Sequence, residues 1–134
     1  MYTIVYLDYL TPQDTYASHD FVYSDGDPTP SKYHGDEPDR HGTSCAGEVG
    51  MSKDNNNCGV GVAYGCKIGG LKLDLGDSDD ATESNALGYN SYYIDVYSNS
   101  WGPSDFGFIV DGPGHYLAST FEEGVKRVRF QFSA

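Results

Sequence analysis

Positive charge is scarce in this 134-residue sequence: 8 Lys and Arg stand against 20 Asp and Glu, a formal net charge of −12 at pH 7. Such a deficit excludes the phosphate-neutralising surface that nucleic-acid binding needs, and it argues against adhesion to anionic lipid. Basic or cationic partners are favoured instead. No apolar run approaches the ~20 residues of a membrane helix, so no membrane contact is expected from this segment. The opening MYTIVYLDYL has neither a basic start nor a small-residue cleavage site, so it reads as a strand and not as a signal peptide. Cysteine is sparse and odd in number, and Cys45, Cys58 and Cys66 cannot all pair within the chain. Internal repeats and low-complexity tracts are missing too.

What is present suits one domain with a real core, which at this length buries roughly two-thirds of its unfolded surface. Hydrophobic residues make up 38%, and 17 Gly and 12 Tyr mark a globular, loop-rich chain rather than a disordered one. Strand formers dominate Thr3 to Leu10. From Thr11 to Arg40 the recurrent Pro, Gly and Asp predict a long surface loop. A helix is expected from His41 to about Met51, then a turn at NNNCG and a strand within VGVAYGCKIGGLKL. Next come a helix at DDATESNALGY, with acids in its first turn, a strand at YIDVYSNSWG and a helix at GPGHYLASTFEEGVKRV. Strands alternating with helices imply an α/β class built on a parallel sheet.

His41 opens a helix of small residues, DRHGTSCAGEVG, and a first-turn imidazole is reachable for chemistry. From the residues alone three roles stay open: a general base, a structural or surface histidine, and a metal ligand. Cys45, four residues on, shares its helix face, and zinc would draw further ligands from Cys58, Cys66 and His34. A Cys45 nucleophile is disfavoured, because helical neighbours seldom align for proton transfer and a small thiol in such a helix is usually buried.

Taken together and in order, RHGTSCAGEVG, NNNCGVGVAY, IGG, YIDVYSNSWGPSDFG and VDGPG resemble the kexin and furin-like proprotein convertases, a branch of the subtilisin-like serine proteases. The resemblance runs from about Asp8 to Arg127, leaves 128–134 as a divergent tail, and makes residues 1–134 part of a single peptidase domain. It implies a subtilisin-like parallel sheet flanked by helices. It also implies that His41 is the general base of a Ser-His-Asp triad. Asp8 is either the triad aspartate, ending the strand IVYLD, or a calcium ligand; in the second case the triad aspartate lies upstream of Met1 and the sheet is incomplete at that end as well. The implied calcium site uses the Asn55 side chain and the carbonyls of Ser52, Asn57 and Gly59, hard oxygen donors in a tight turn. The backbone of Ser100, Trp101 and Gly102 would pair with a peptide as an added strand. Asp105 would face the basic side chain before the cut, while Glu83 and Asp111 would read a basic residue farther upstream. Relatives of this kind cleave precursor proteins after paired or clustered basic residues in the secretory pathway, with calcium as cofactor and a basic peptide or precursor protein as partner.

Several departures bear on activity. In that family the GTS segment that carries the nucleophile lies well over one hundred residues after the histidine, but only 93 residues follow His41, the one GTS among them at 42–44 belongs to the histidine motif itself, and the SGN segment that stabilises the oxyanion does not occur. The expectation is therefore a sheet incomplete at the C-terminal end and a chain without its nucleophile, through a truncated gene model, a splice form or a frameshift. The alternative in a different class is an inactive fragment that binds basic peptides or interferes with a full-length relative. Ser44 replaces a basic residue, Pro38 an acid, and Phe106 interrupts an acidic pair, which alters the expected basic-site preference. Cys58 lacks the downstream cysteine its relatives pair with.

Overall fold

Asp14 builds the first turn among the residues that the computed structural model describes, which are 13–30, 40–57, 59–74, 76, 78–102 and 112–127 with the backbone of 130–133. The expected strand at Thr3–Leu10, and Asp8 within it, lie outside the described residues. So do His34, Pro38, Cys58, Asp105, Phe106 and Asp111. The Asp14 carboxylate accepts the backbone N–H groups of Tyr16 and Ala17 and starts a short 3₁₀ turn at Thr15–Ala17. The Tyr93 hydroxyl donates to the same carboxylate at 2.6 Å, tying this turn to a distant part of the chain.

Four strands and three helices follow: β1 (His19–Asp20), α1 (His41–Gly50), β2 (Leu71–Lys72), α2 (Asp80–Gly88), β3 (Val96–Asn99), α3 (His115–Lys126) and β4 (Phe130–Ser133). β1 pairs parallel with β2, and β3 parallel with β4, so α1 and α3 each lie in a crossover between paired parallel strands. This is the α/β arrangement expected, a small parallel sheet flanked by helices.

The expectation of an unbroken surface loop from Thr11 to Arg40 fails at its start. Ala17, Ser18, Asp20 and Pro28 are buried, and β1 sits inside that span. Turn-forming residues of this kind are expected at the surface, but Ser18 and Asp20 face inward because their polar atoms find partners. Ser18 Oγ accepts from Gly70 N at 3.0 Å and donates to the Asp14 carbonyl at 2.7 Å. Asp20, 1% exposed at its side chain, accepts from Lys72 Nζ at 2.7 Å, while its other oxygen takes the amides of Val22 and Tyr23.

The strand expected in VGVAYGCKIGGLKL is also shorter than its composition suggests. Val62 to Gly65 form a turn, and only Ile68, through a bridge to Gln13, and Leu71–Lys72 join strand pairs. The amides of Gly61, Val62 and Ala63 are spent elsewhere: they donate at 2.8–3.0 Å to the carbonyls of Met51, Glu48 and Val49, satisfying the C-terminal end of α1. A Cβ on Gly61 would lie 2.4 Å from Met51 N, so only glycine permits this approach. The small residues of α1 play the packing role expected of them, with Gly42, Ala46, Gly47 and Gly50 buried.

Leu71, Leu87, Tyr97 and Leu117 form the core, with Phe21, Tyr89, Ile94, Trp101 and Phe121 packed against it. Each of β2, α2, β3 and α3 contributes one of the four buried side chains. The core is thus the joint that places the carboxyl end of β3 relative to both later helices.

Lys72→Met should lower stability to denaturant by about 3–5 kcal/mol, because it strands the buried Asp20 carboxylate, and the further change Asp20→Asn should recover part of the loss. Asp14 adds a pH-dependent element. The Tyr93 hydroxyl, helped by two backbone amides and Lys67 and opposed by burial, holds the Asp14 carboxyl below the usual carboxylate range. The same bond raises the Tyr93 hydroxyl. A depressed acid stabilises fully above its unfolded value of about 3.9 and loses that effect as pH falls through its lower folded value. A raised phenol stabilises below about 10 and loses the effect as pH rises through its higher folded value. The stability difference between wild type and Tyr93→Phe should therefore stay level across neutral pH and shrink in acid and in strong base, as urea titrations at stepped pH would reveal.

Candidate active site

α1 begins without a side-chain cap, since Arg40 at its N-cap makes no such bond. That leaves the exposed first residue, His41, free to reach outward. Its Nε2 lies 2.9 Å from the carbonyl oxygen of Ser100, the residue after β3. The helix start thereby meets the carboxyl end of a parallel strand, where sites in open α/β sheets are usually found. Cys45 Sγ lies 3.8 Å from the same nitrogen, the distance expected across one helical turn.

A carbonyl oxygen can only accept, so this contact requires the proton to sit on Nε2 and leaves Nδ1 as the free acceptor. In this arrangement Nε2 cannot take a proton from another group. It becomes a base only when the ring leaves the Ser100 carbonyl and carries its proton on Nδ1 instead.

Three residues expected at the peptide-pairing edge, Ser100, Trp101 and Gly102, lie together here. Trp101 is half-buried against the core, which anchors the segment, and Gly102 is exposed. Just before them Asn99 is 3% exposed, and neither its side-chain nitrogen nor its oxygen has a hydrogen-bond partner. Of the expected acids, Glu83 is half-buried in the first turn of α2, while Asp105 and Asp111 lie outside the described residues. Asp79 caps α2 by accepting the Thr82 amide at 2.8 Å, and this bond holds its carboxyl below the usual range.

The polar loop after α1 is tightly wound, with left-handed backbone at Asp54, Asn56 and Gly59. Asn55 Oδ1 accepts the Asn57 amide at 3.0 Å, while its Nδ2 is buried without a partner. Its oxygen retains a second lone pair, and the neighbouring carbonyls of Ser52, Asn57 and Gly59 are neutral, hard donors. This donor set fits calcium better than a thiophilic metal. Among the described residues no group of three or more His, Cys, Asp and Glu could hold a metal, so the His41–Cys45 pair finds no third zinc ligand there. Cys45 and Cys66 are free thiols, and burial pushes the Cys66 thiol up.

One organising residue escaped the sequence reading. Asp80 counts in sequence as a first-turn acid of α2, yet its two oxygens accept the amides of Tyr116 and Leu117 at 2.8 and 3.1 Å, capping α3. The pairing spans 36 positions, and the only hint was the uncapped GPG ahead of His115.

A family model described as the subtilase family matches residues 5–133. Proprotein convertase subtilisin/kexin type 6 of Rattus norvegicus is 48% identical over 116 residues, covering 87% of this chain and 12% of that protein. Furin of Bos taurus is 47% identical over 116 residues, covering 87% of this chain and 14% of its own length. Furin-like protease 1, isoform 1-CRR, of Drosophila melanogaster is 46% identical over 120 residues, covering 87% and 11%. The chain thus spans only a small part of the curated relatives it matches.

The proton position at His41 is measurable. Long-range nitrogen–carbon correlation spectra of the neutral ring should show the Nε2–H form, and Cys45→Ala should leave that form unchanged because the carbonyl, not the thiol, selects it.

Proposed function

Because the chain belongs to the subtilase family, we propose that it is the histidine-bearing part of a proprotein-convertase-type serine endopeptidase that acts on precursor proteins in the secretory pathway. The observation that supports this reading most directly is the 2.9 Å approach of His41 Nε2 to the Ser100 carbonyl. On this reading His41 is the general base and lies beside the backbone that would bind the peptide.

In the working site the peptide lies along Ser100, Trp101 and Gly102 as an added strand, held by main-chain hydrogen bonds. Its arrival gives the Ser100 backbone a new partner and frees the imidazole. With the ring proton carried on Nδ1, where the triad aspartate would accept it, Nε2 of His41 then takes the proton of a serine hydroxyl as that oxygen attacks the scissile carbonyl, and returns it to the leaving amine. Asp105 faces the basic side chain before the cut, and Glu83 with Asp111 reads a basic residue upstream. Carboxylates select cationic side chains both by attraction at contact and by rejecting acidic ones.

Asp8 serves either as the acid that orients His41 or as a calcium ligand. Calcium held by the Asn55 side chain and the carbonyls of Ser52, Asn57 and Gly59, with Asp8 in the second case, supplies fixed positive charge that ties down the loop following α1. The nucleophile is not among these 134 residues on this reading. The second reading, an inactive fragment that binds basic peptides or competes with a full-length relative, draws on the same placement of Ser100–Gly102 and Glu83 and needs no serine.

A fluorogenic peptide bearing Arg-x-Lys-Arg before the reporter, assayed with calcium and with a serine-directed phosphonate probe, separates the two. Binding without turnover or labelling is expected for this chain. Turnover with serine labelling would overturn the missing nucleophile, and absence of binding would overturn both readings of the peptide edge.

A further inference from the structure

The two later helices are joined by one carboxylate. Asp80, in the first turn of α2, accepts from Tyr116 N at 2.8 Å with one oxygen and from Leu117 N at 3.1 Å with the other. Both amides belong to the first turn of α3, where helix geometry leaves N–H groups unpaired and favours negative charge. A Cβ at Gly114 would fall 2.3–2.5 Å from the atoms of this carboxylate, so the chain entering α3 must be glycine there for the bond to form. One turn farther along, Ser84 Oγ meets Thr120 Oγ1 at 2.7 Å and the Tyr116 carbonyl at 3.3 Å. Glu83 stands three residues after Asp80 and one before Ser84, on the flank of the helix that this contact fixes.

We propose that Asp80, admitted by Gly114, is a positioning residue for recognition of the upstream basic side chain. With both oxygens engaged by α3, it holds Glu83 at a set distance from the 112–114 segment that leads into that helix. It need not touch the peptide. This inference rests on the reading of Glu83 as the acid that meets that side chain. If it holds, discrimination depends on a helix-to-helix bond as well as on the acid itself. Loosening the bond lets Glu83 drift from a contact that tolerates little misplacement, while the peptide backbone still finds Ser100–Gly102.

The test compares the affinity of the full 134-residue chain for Arg-x-Lys-Arg and Ala-x-Lys-Arg peptides, with amide spectra recorded on each variant. Wild type should prefer the first peptide by about tenfold, the scale of one charge-assisted contact. Asp80→Ala and Gly114→Ala should each shift the Tyr116 and Leu117 amides and abolish that preference while leaving affinity for Ala-x-Lys-Arg unchanged. Asp80→Asn, which keeps an acceptor oxygen, should restore part of it. Glu83→Gln should abolish the preference with those amides in place. Retention of the preference in Asp80→Ala and Gly114→Ala, or equal loss for both peptides, would overturn the positioning role while leaving Glu83 as the reader. A wild type without preference, or Glu83→Gln with full preference, would overturn the Glu83 reading and this inference with it.

Discussion

Carboxylates that accept backbone amides hold this structure together, because its strands are too short to do so. β1 and β2 contribute two residues each and β3 and β4 four each, so their ladders satisfy few main-chain groups. Asp14, Asp20, Asp79 and Asp80 supply acceptors where no ladder reaches: at a 3₁₀ turn, after β1, and at the starts of α2 and α3. Each bond to an ionised acceptor is worth more than a neutral one, and most of these lie at helix or turn starts where amides converge. Part of the −12 charge is therefore architectural.

His41 stands at a helix start that no side chain of the N-cap residue caps. α1 is fastened at its C-terminal end, where Gly61, Val62 and Ala63 donate to its last carbonyls, and it carries no side-chain cap at its N-terminal end. His41, the exposed first residue of this helix, reaches the Ser100 carbonyl at 2.9 Å. That segment is in turn fixed by Trp101, whose ring packs against a core drawn from β2, α2, β3 and α3. His41 and the Ser100 carbonyl thus meet through two anchors, one at each end of the contact.

Local pattern made some of this legible in the sequence. The helices at His41, Asp80 and His115 carry their own signals in small-residue packing, first-turn acids and amphipathic spacing, and each lies where the pattern puts it. His41 was identifiable by the residues around it, and its approach to Ser100, from 59 positions away, is a tertiary consequence that no local pattern encodes. What pattern concealed were acids with distant partners. Asp20 reads as one more loop acid until Lys72 is brought against it, and Asp80 reads as a helix-start acid until α3 arrives. Glycine acts in the opposite sense: Gly61 interrupts a strand-rich composition, and its amide with those of Val62 and Ala63 closes α1 instead of forming a ladder.

Total charge overstates what so acidic a chain could offer a basic partner. Asp20 is neutralised by Lys72 at 2.7 Å, and Asp14 and Glu123 also have cationic neighbours. Asp79 and Asp80 already accept amides. Long-range attraction from the remaining acids speeds encounter but falls away within about 8–10 Å at ordinary ionic strength. On the proposed reading, selectivity then rests on a few positioned acids at the peptide edge and on whatever holds them in place. Asp80, which fastens α3, and Glu83, the acid proposed to read a basic side chain, occupy the same short helix, so on that proposal the scaffold's hydrogen bonds set the geometry of recognition.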